Sequence, residues 1–165
     1  MSHSFGFNRN DTEADYESAT ELLAGFIDSI SKNGNLLLNV GPRGSDAQIP
    51  SIQIDRLKTI GAWLTINGEA VYASRPWRCA EAVSKEGCSV RFTYRAQTVY
   101  LFLMDKNYKT TLSLDDISEV EKILRLGVSD DLNFEYIENA LVVHIPENFD
   151  KENFPVLALH FASSP

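Results

Sequence analysis

The sequence has few cysteines, histidines and basic residues, and each shortage excludes a class of function. Only two cysteines, Cys79 and Cys88, and three histidines occur among 165 residues. A zinc site needs about four closely spaced ligands, so no metal site is expected. The 15 lysines and arginines are outnumbered by 23 acidic residues, giving a net charge of −8. That balance supplies no basic surface, so nucleic acid and anionic membranes are not expected as partners.

Long apolar runs and an export signal are also lacking. No stretch approaches the roughly 20 apolar residues that span a bilayer, because the run Leu36–Leu38 is flanked by asparagines. The first four residues contain neither a charged n-region nor an apolar h-region. The sequence as written therefore predicts a cytoplasmic protein with no membrane partner.

The first half of the chain has the pattern of a helix, a buried strand and a second helix. Apolar residues recur at three- and four-residue steps between Glu17 and Lys32, which predicts an amphipathic helix. Residues 35–40 form a short apolar run between Gly34 and Gly41, which predicts a strand buried on both faces. A second amphipathic helix is predicted from Pro50 to Asn67.

Beyond Arg75 the periodicity changes from helical to alternating. Val90, Phe92 and Tyr94 alternate with polar residues, and further strands are predicted at 99–103, 110–114, 122–126, 133–138, 140–145 and 156–161. About seven strands at this spacing indicate an antiparallel β-sandwich. We therefore predict an α+β chain of two domains, with an α/β part at residues 1–73 and the sandwich at residues 74–165.

Three ordered segments resemble the closing section of the α-L-fucosidases of glycoside hydrolase family 29. These segments are residues 4–10, residues 34–42, and a stretch from Ile60 through residues 67–72 to Trp77. Each motif alone is weak, whereas the ordered set is specific, and the resemblance is looser over the β half. The resemblance implies that residues 1–73 are the C-terminal portion of a (β/α)8-like barrel, and that residues 74–165 are the family's terminal sandwich.

The resemblance also implies retaining hydrolysis of terminal α-L-fucosides, with a fucosylated glycan or a fucoside as substrate and no cofactor. Retention uses two carboxyl groups roughly 5–5.5 Å apart, one as nucleophile and one as acid/base. In the family, both carboxyl groups and the fucose-binding histidines and tryptophan precede the segment that begins here at Ser4. Only Phe5 matches a sugar-contacting position, an aromatic side chain that packs on the apolar side of fucose.

Three further residues are candidates because of their positions. Asp46 follows the predicted strand on the face where barrel enzymes keep their chemistry, although an acidic residue in such a loop usually forms a turn. Asp11 could supply a carboxylate near Phe5, although acidic residues before a helix more often cap it. Trp77 could offer a platform for a sugar ring or could pack as a hinge residue.

Three functions remain open at this level. The chain could be an α-L-fucosidase segment that depends on other sequence, a non-catalytic module for carbohydrate binding or assembly, or a small oligomeric fucosidase with an intersubunit site. One barrel strand cannot close a barrel, and it leaves two unpaired edges. We therefore expect a homo-oligomer, or a complex with a missing N-terminal barrel chain.

Overall fold

The protein is built in three layers, with helices on one face of a large sheet and a small sheet on its other face. The computed structural model describes residues 1, 4–108, 110–128, 131–149 and 153–163. Two α-helices and eight strands occur within these ranges, and all strand pairs are antiparallel. This arrangement confirms the predicted α+β class.

Both predicted helices form close to their expected bounds, α1 at Ala19–Ser31 and α2 at Ser51–Asn67. The start of α1 is fixed by a capping box in which the Ser18 hydroxyl accepts from the Glu21 amide at 3.1 Å. The Glu21 carboxylate in turn accepts from the Ser18 amide at 2.8 Å, so two otherwise unpaired donors are satisfied. Neither helix, within the described ranges, is long and apolar enough to cross a bilayer.

The strand predicted at residues 35–40 is not formed, which corrects that part of the sequence analysis. The segment carries no regular structure, and the Leu37 side chain is 92% exposed. A strand needs a neighbour to pair with its backbone groups, and no strand in the described part of the chain pairs with this segment. The apolar run is therefore present without the sheet that would bury it.

The second half forms the predicted sandwich. Its strands are β1 Arg75–Val83, β2 Ser89–Arg95, β3 Thr98–Leu103, β4 Thr111–Leu114, β5 Val120–Arg125, β6 Phe134–Ile137, β7 Ala140–His144 and β8 Val156–Phe161. The five-stranded sheet has the order β1-β2-β3-β8-β5, and the three-stranded sheet has the order β4-β7-β6. Strand β1 was not predicted. It is an edge strand whose pairing with β2 is interrupted between Pro76 and Glu81.

The central strands β3 and β8 are buried on both faces. Leu101 and Leu159 belong to the core between the two sheets, whereas Tyr100 and Ala158 belong to a second core beneath the helices. Trp63 of α2 lies in that second core. The helices therefore share a core with the five-stranded sheet, and the division expected at residues 73 and 74 stays a prediction.

Candidate functional site

The candidate site lies where the N-terminal loop, residues 4–11, meets the irregular segment 36–41. The Phe5 ring is 91% exposed, and the Phe5 carbonyl accepts a hydrogen bond from the Asn39 side-chain amide. A cavity of about 130 Å³ lies at this junction, and its lining includes Ser4, Phe5, Asn39 and Gly41. The sequence thus presents an uncovered aromatic ring at the mouth of a small polar cavity.

Helix α2 holds the floor of this junction in place. The Gly41 amide donates to the Gln53 side-chain carbonyl at 2.9 Å, and the Gln53 side chain is buried. A Cβ atom at Gly41 would lie 2.4 Å from the Phe7 amide nitrogen, so only glycine allows the two segments to approach this closely. Sequence reasoning missed Gln53, because a glutamine within a helix ordinarily indicates a solvent-facing position.

Asp11 stabilises the N-terminal loop. One carboxylate oxygen accepts from the Asn8 side-chain amide at 2.6 Å and from the Ser4 hydroxyl at 3.2 Å. The other oxygen is buried and has no hydrogen-bond partner within the described ranges. Asp11 is therefore held beside the segment that carries Phe5, and its catalytic role stays a prediction. The helix that follows is capped by Ser18 instead.

Asp46 is held in a turn of its own loop. Its carboxylate forms an ion pair with the Arg43 guanidinium at 2.7 Å and accepts from the Gln48 amide at 3.1 Å. The Gln48 amide, followed by the Arg43 side chain, lowers the pKa of the Asp46 carboxyl. These contacts lie within residues 43–48, so they do not join Asp46 to Phe5 or Asp11. Its catalytic role also stays a prediction, and the contacts favour a structural one.

Trp77 lies in the sandwich rather than in the Phe5 junction. Its indole is 8% exposed and packs against Phe92 with ring centroids 5.0 Å apart. The Arg78 guanidinium lies 4.5 Å from the Trp77 ring centroid. The buried ring thus has two packing partners, which favours the packing role considered for this residue. Sugar binding by its ring stays a prediction.

An apolar edge, defined as Phe5, Phe7, Leu36 and Leu37, borders the candidate site. All four side chains are exposed, although the chain has enough buried apolar residues for two cores. Contiguous exposed apolar groups mark interaction surfaces more often than free surfaces. The site therefore opens onto a surface that is suited to contact with another part of a protein. No group of three acidic, histidine or cysteine side chains in the described ranges could hold a metal ion.

Comparison with known proteins gives consistent matches. The α-L-fucosidase family profile matches residues 1–69. The tissue α-L-fucosidase of Bos taurus is 34% identical over 148 residues, which are 87% of this chain and 31% of that protein. The human tissue α-L-fucosidase is 34% identical over 133 residues, 79% of this chain and 28% of that protein.

Solved structures agree with the sequence relatives. A Thermotoga maritima α-fucosidase in complex with fucose superposes with a TM-score of 0.84 at 28% identity, covering 96% of this chain and 38% of that one. Another α-L-fucosidase structure gives a TM-score of 0.86, covering 96% of this chain and 36% of that one. The chain thus spans about a third of the length of the proteins it matches.

Proposed function

We propose that this chain acts in the hydrolysis of terminal α-L-fucosides. It belongs to the α-L-fucosidase family and corresponds to the C-terminal part of the family's members. The observation that carries the proposal is the placement of Phe5. Its ring is exposed at the mouth of a polar cavity, within the residues that the family profile matches. Phe5 packs on the apolar face of the fucose ring.

The chain positions substrate, and the catalytic carboxylates come from sequence outside residues 1–165. Retaining hydrolysis needs two carboxyl groups at a fixed spacing, one to attack the sugar and one to protonate the leaving oxygen. Asp46 is ion-paired with Arg43 and has a lowered pKa, which makes it a poor proton donor. A site shared between subunits would therefore need a proton donor other than Asp46.

The remaining contacts of the junction act on Phe5 through the backbone. The Asn39 side chain holds the Phe5 carbonyl, while Gln53 holds the segment that carries Asn39. A stacking ring must be fixed before substrate arrives if binding energy is to orient the sugar. Asn39 and Gln53 are therefore positioning residues.

The test is release of the aryl group from an aryl α-L-fucoside. We expect no turnover by the 165-residue chain alone, and turnover when the upstream barrel segment of a related fucosidase is added. In the complemented enzyme, Phe5→Ala should lower kcat/KM by about tenfold, equivalent to about 1.4 kcal/mol of lost contact with the sugar in the transition state. The control Ile137→Ala removes an exposed apolar side chain from β6 of the sandwich and should leave the rate unchanged.

Two outcomes would contradict this proposal. Turnover by the chain alone, lost in both Asp11→Asn and Asp46→Asn, would support a site shared between subunits. A stable complex with the barrel segment that binds fucose equally well with Phe5 and with Phe5→Ala would show that Phe5 does not contact the sugar.

A further inference from the structure

The sandwich contains a second cavity, formed where strand β1 leaves its regular pairing. The register between β1 and β2 shifts between Pro76 and Glu81, so the four residues 77–80 of β1 run opposite the single residue Phe92 of β2. A cavity of about 460 Å³ lies against this bulge. That volume falls within the range of about 300–1,000 Å³ that is typical of small-molecule sites.

The Trp77 indole N–H is an unsatisfied donor beside this cavity. It is buried and has no acceptor within the described ranges, while Trp77 lines both the large cavity and a neighbouring one of about 200 Å³. An unpaired buried donor destabilises the folded state, because it has lost its hydrogen bond to water. The Phe92 ring and the Arg78 guanidinium hold the indole in position. Because Trp77 lines both cavities, a molecule bound in either one could supply the acceptor.

The cavity also presents a fixed set of polar groups. Arg78 is oriented by donating to the Asp116 carbonyl, and Asp115 is held by Lys85 at 3.2 Å. Glu81 forms ion pairs with Lys32 and with Arg91, both at 3.2 Å. The Lys85 ion pair uses one carboxylate oxygen of Asp115, so further acceptor positions remain on Asp115, whereas the Glu81 carboxylate is engaged by two cations on the α1 side of the sheet. Asp116 also lines the cavity.

We propose that this cavity binds one residue of a neutral saccharide. Sugar hydroxyls can both accept from the Trp77 indole N–H and donate to the carboxylates, whereas a simple anion or cation can do only one of these. Arg78 is the one basic residue among the lining residues, and Asp115 and Asp116 also line the cavity, so the lining offers an anion no excess of positive charge. Val83, which is well exposed, offers an apolar wall to the C–H face of the ring. This function is binding without turnover, and it is independent of the proposed hydrolysis.

The indole resonances give a direct test, because the chain contains only two tryptophans. The Trp63 indole donates to the Phe154 carbonyl at 3.3 Å and serves as an internal reference. In a ¹⁵N-labelled sample, we expect lactose or methyl α-L-fucoside at millimolar concentration to shift the Trp77 indole signal saturably. The Trp63 signal should stay in place. Lactobionate, which carries a carboxylate in place of the reducing sugar, should bind at least tenfold more weakly than lactose.

A variant pair identifies the cavity as the site. Asp116→Asn should weaken sugar binding by about tenfold, since a charged acceptor forms a stronger hydrogen bond than a neutral one. Asp116 has a positive φ of 61°, which asparagine tolerates, so the variant should fold. Asp55→Asn, an exposed carboxylate of α2 outside the cavity lining, is the matched control and should bind like the unaltered chain.

The proposal is overturned if neither sugar shifts the Trp77 signal, if both indole signals move together, or if Asp116→Asn and Asp55→Asn bind sugar equally well. Phe5→Ala separates this site from the fucoside site. It should leave the Trp77 shift unchanged even if it abolishes hydrolysis in the complemented enzyme.

Discussion

At the scale of single residues, Gly41 controls how closely the two segments of the candidate site approach. A Cβ atom there would lie 2.4 Å from the Phe7 nitrogen and 2.6 Å from the Gly6 carbonyl carbon, both backbone atoms. Gly41→Ala should therefore displace the loop that carries Phe5 and destabilise the protein by about 1–3 kcal/mol in urea unfolding. Gly44→Ala, with no atom within 4 Å, should change stability by less than about 0.5 kcal/mol. Equal effects of the two substitutions would contradict this explanation.

Tyr100 makes stability sensitive to alkaline pH. Its hydroxyl donates to the Glu69 carboxylate at 2.7 Å, and burial, followed by this hydrogen bond, raises the pKa of Tyr100. The folded state therefore holds the phenolic proton more tightly than the unfolded state. The resulting stabilisation is complete below about pH 10 and is lost as pH rises toward the folded pKa.

The variant Tyr100→Phe cannot titrate. Between about pH 9 and pH 11, the unfolding free energy of this variant should fall less steeply with pH than that of the unaltered chain. The two slopes should differ by up to about 1.4 kcal/mol per pH unit. Tyr72→Phe, which removes an exposed hydroxyl, should retain the full slope. Urea unfolding at several pH values measures both slopes, and identical slopes for the two variants would exclude the Tyr100 contribution.

At the scale of elements, a charged cluster attaches α1 to the edge of the five-stranded sheet. Asp28 of α1 accepts from Lys32 at 2.8 Å and from Arg91 of β2 at 2.7 Å, while Glu81 of β1 bridges the same two cations. The Lys32 hydrogen bond, followed by Arg91, lowers the pKa of Asp28. The Asp28 side chain is partly exposed, so solvent screening reduces the energy of the cluster.

Asp28→Asn should lower the unfolding free energy by about 0.5–1 kcal/mol at neutral pH. A depressed folded pKa stabilises the folded state above the unfolded value of about 3.9, and this contribution is lost as pH falls through the folded pKa. The difference in unfolding free energy between the variant and the unaltered chain should therefore become smaller in acid and in high salt. Asp55→Asn on α2 is the control. A difference that is the same at about pH 3 and pH 7 would show that charge is not its cause.

The elements that sequence predicted are those whose signals are local. Helices α1 and α2 follow from apolar spacing within one segment, and strands β2 to β8 follow from alternation or short runs between turns. The run at residues 35–40 was misread because its burial depends on neighbours that the chain does not pair with it. Strand β1 was missed because the bulge between Pro76 and Glu81 interrupts its alternation. In the site, motif resemblance indicated Phe5, whereas Gln53 became visible only when α2 was placed against Gly41.

At the scale of the whole molecule, the three layers leave the apolar edge exposed. The five-stranded sheet is packed on both faces. The helices cover its apolar side chains on one face, and the three-stranded sheet covers those on the other. Among the residues that the structure describes, none covers the apolar edge of Phe5, Phe7, Leu36 and Leu37 to a comparable extent. In the matched fucosidases this chain corresponds to about a third of the protein, so the edge is suited to contact with chain beyond these residues.

The apolar edge should therefore drive association when the chain is alone. We expect sedimentation equilibrium at micromolar concentration to give a homo-oligomer. Leu37→Ser should weaken self-association at least tenfold, since burying a leucine contributes about 1.5–3 kcal/mol. Leu37 is 92% exposed, so this change should leave folding intact. Ile137→Ser, an exposed residue of β6, should not alter the oligomer. A clean monomer of the unaltered chain would refute this interpretation of the edge. If an added barrel segment dissociates the oligomer, then the barrel segment and a second copy of the chain compete for the same surface.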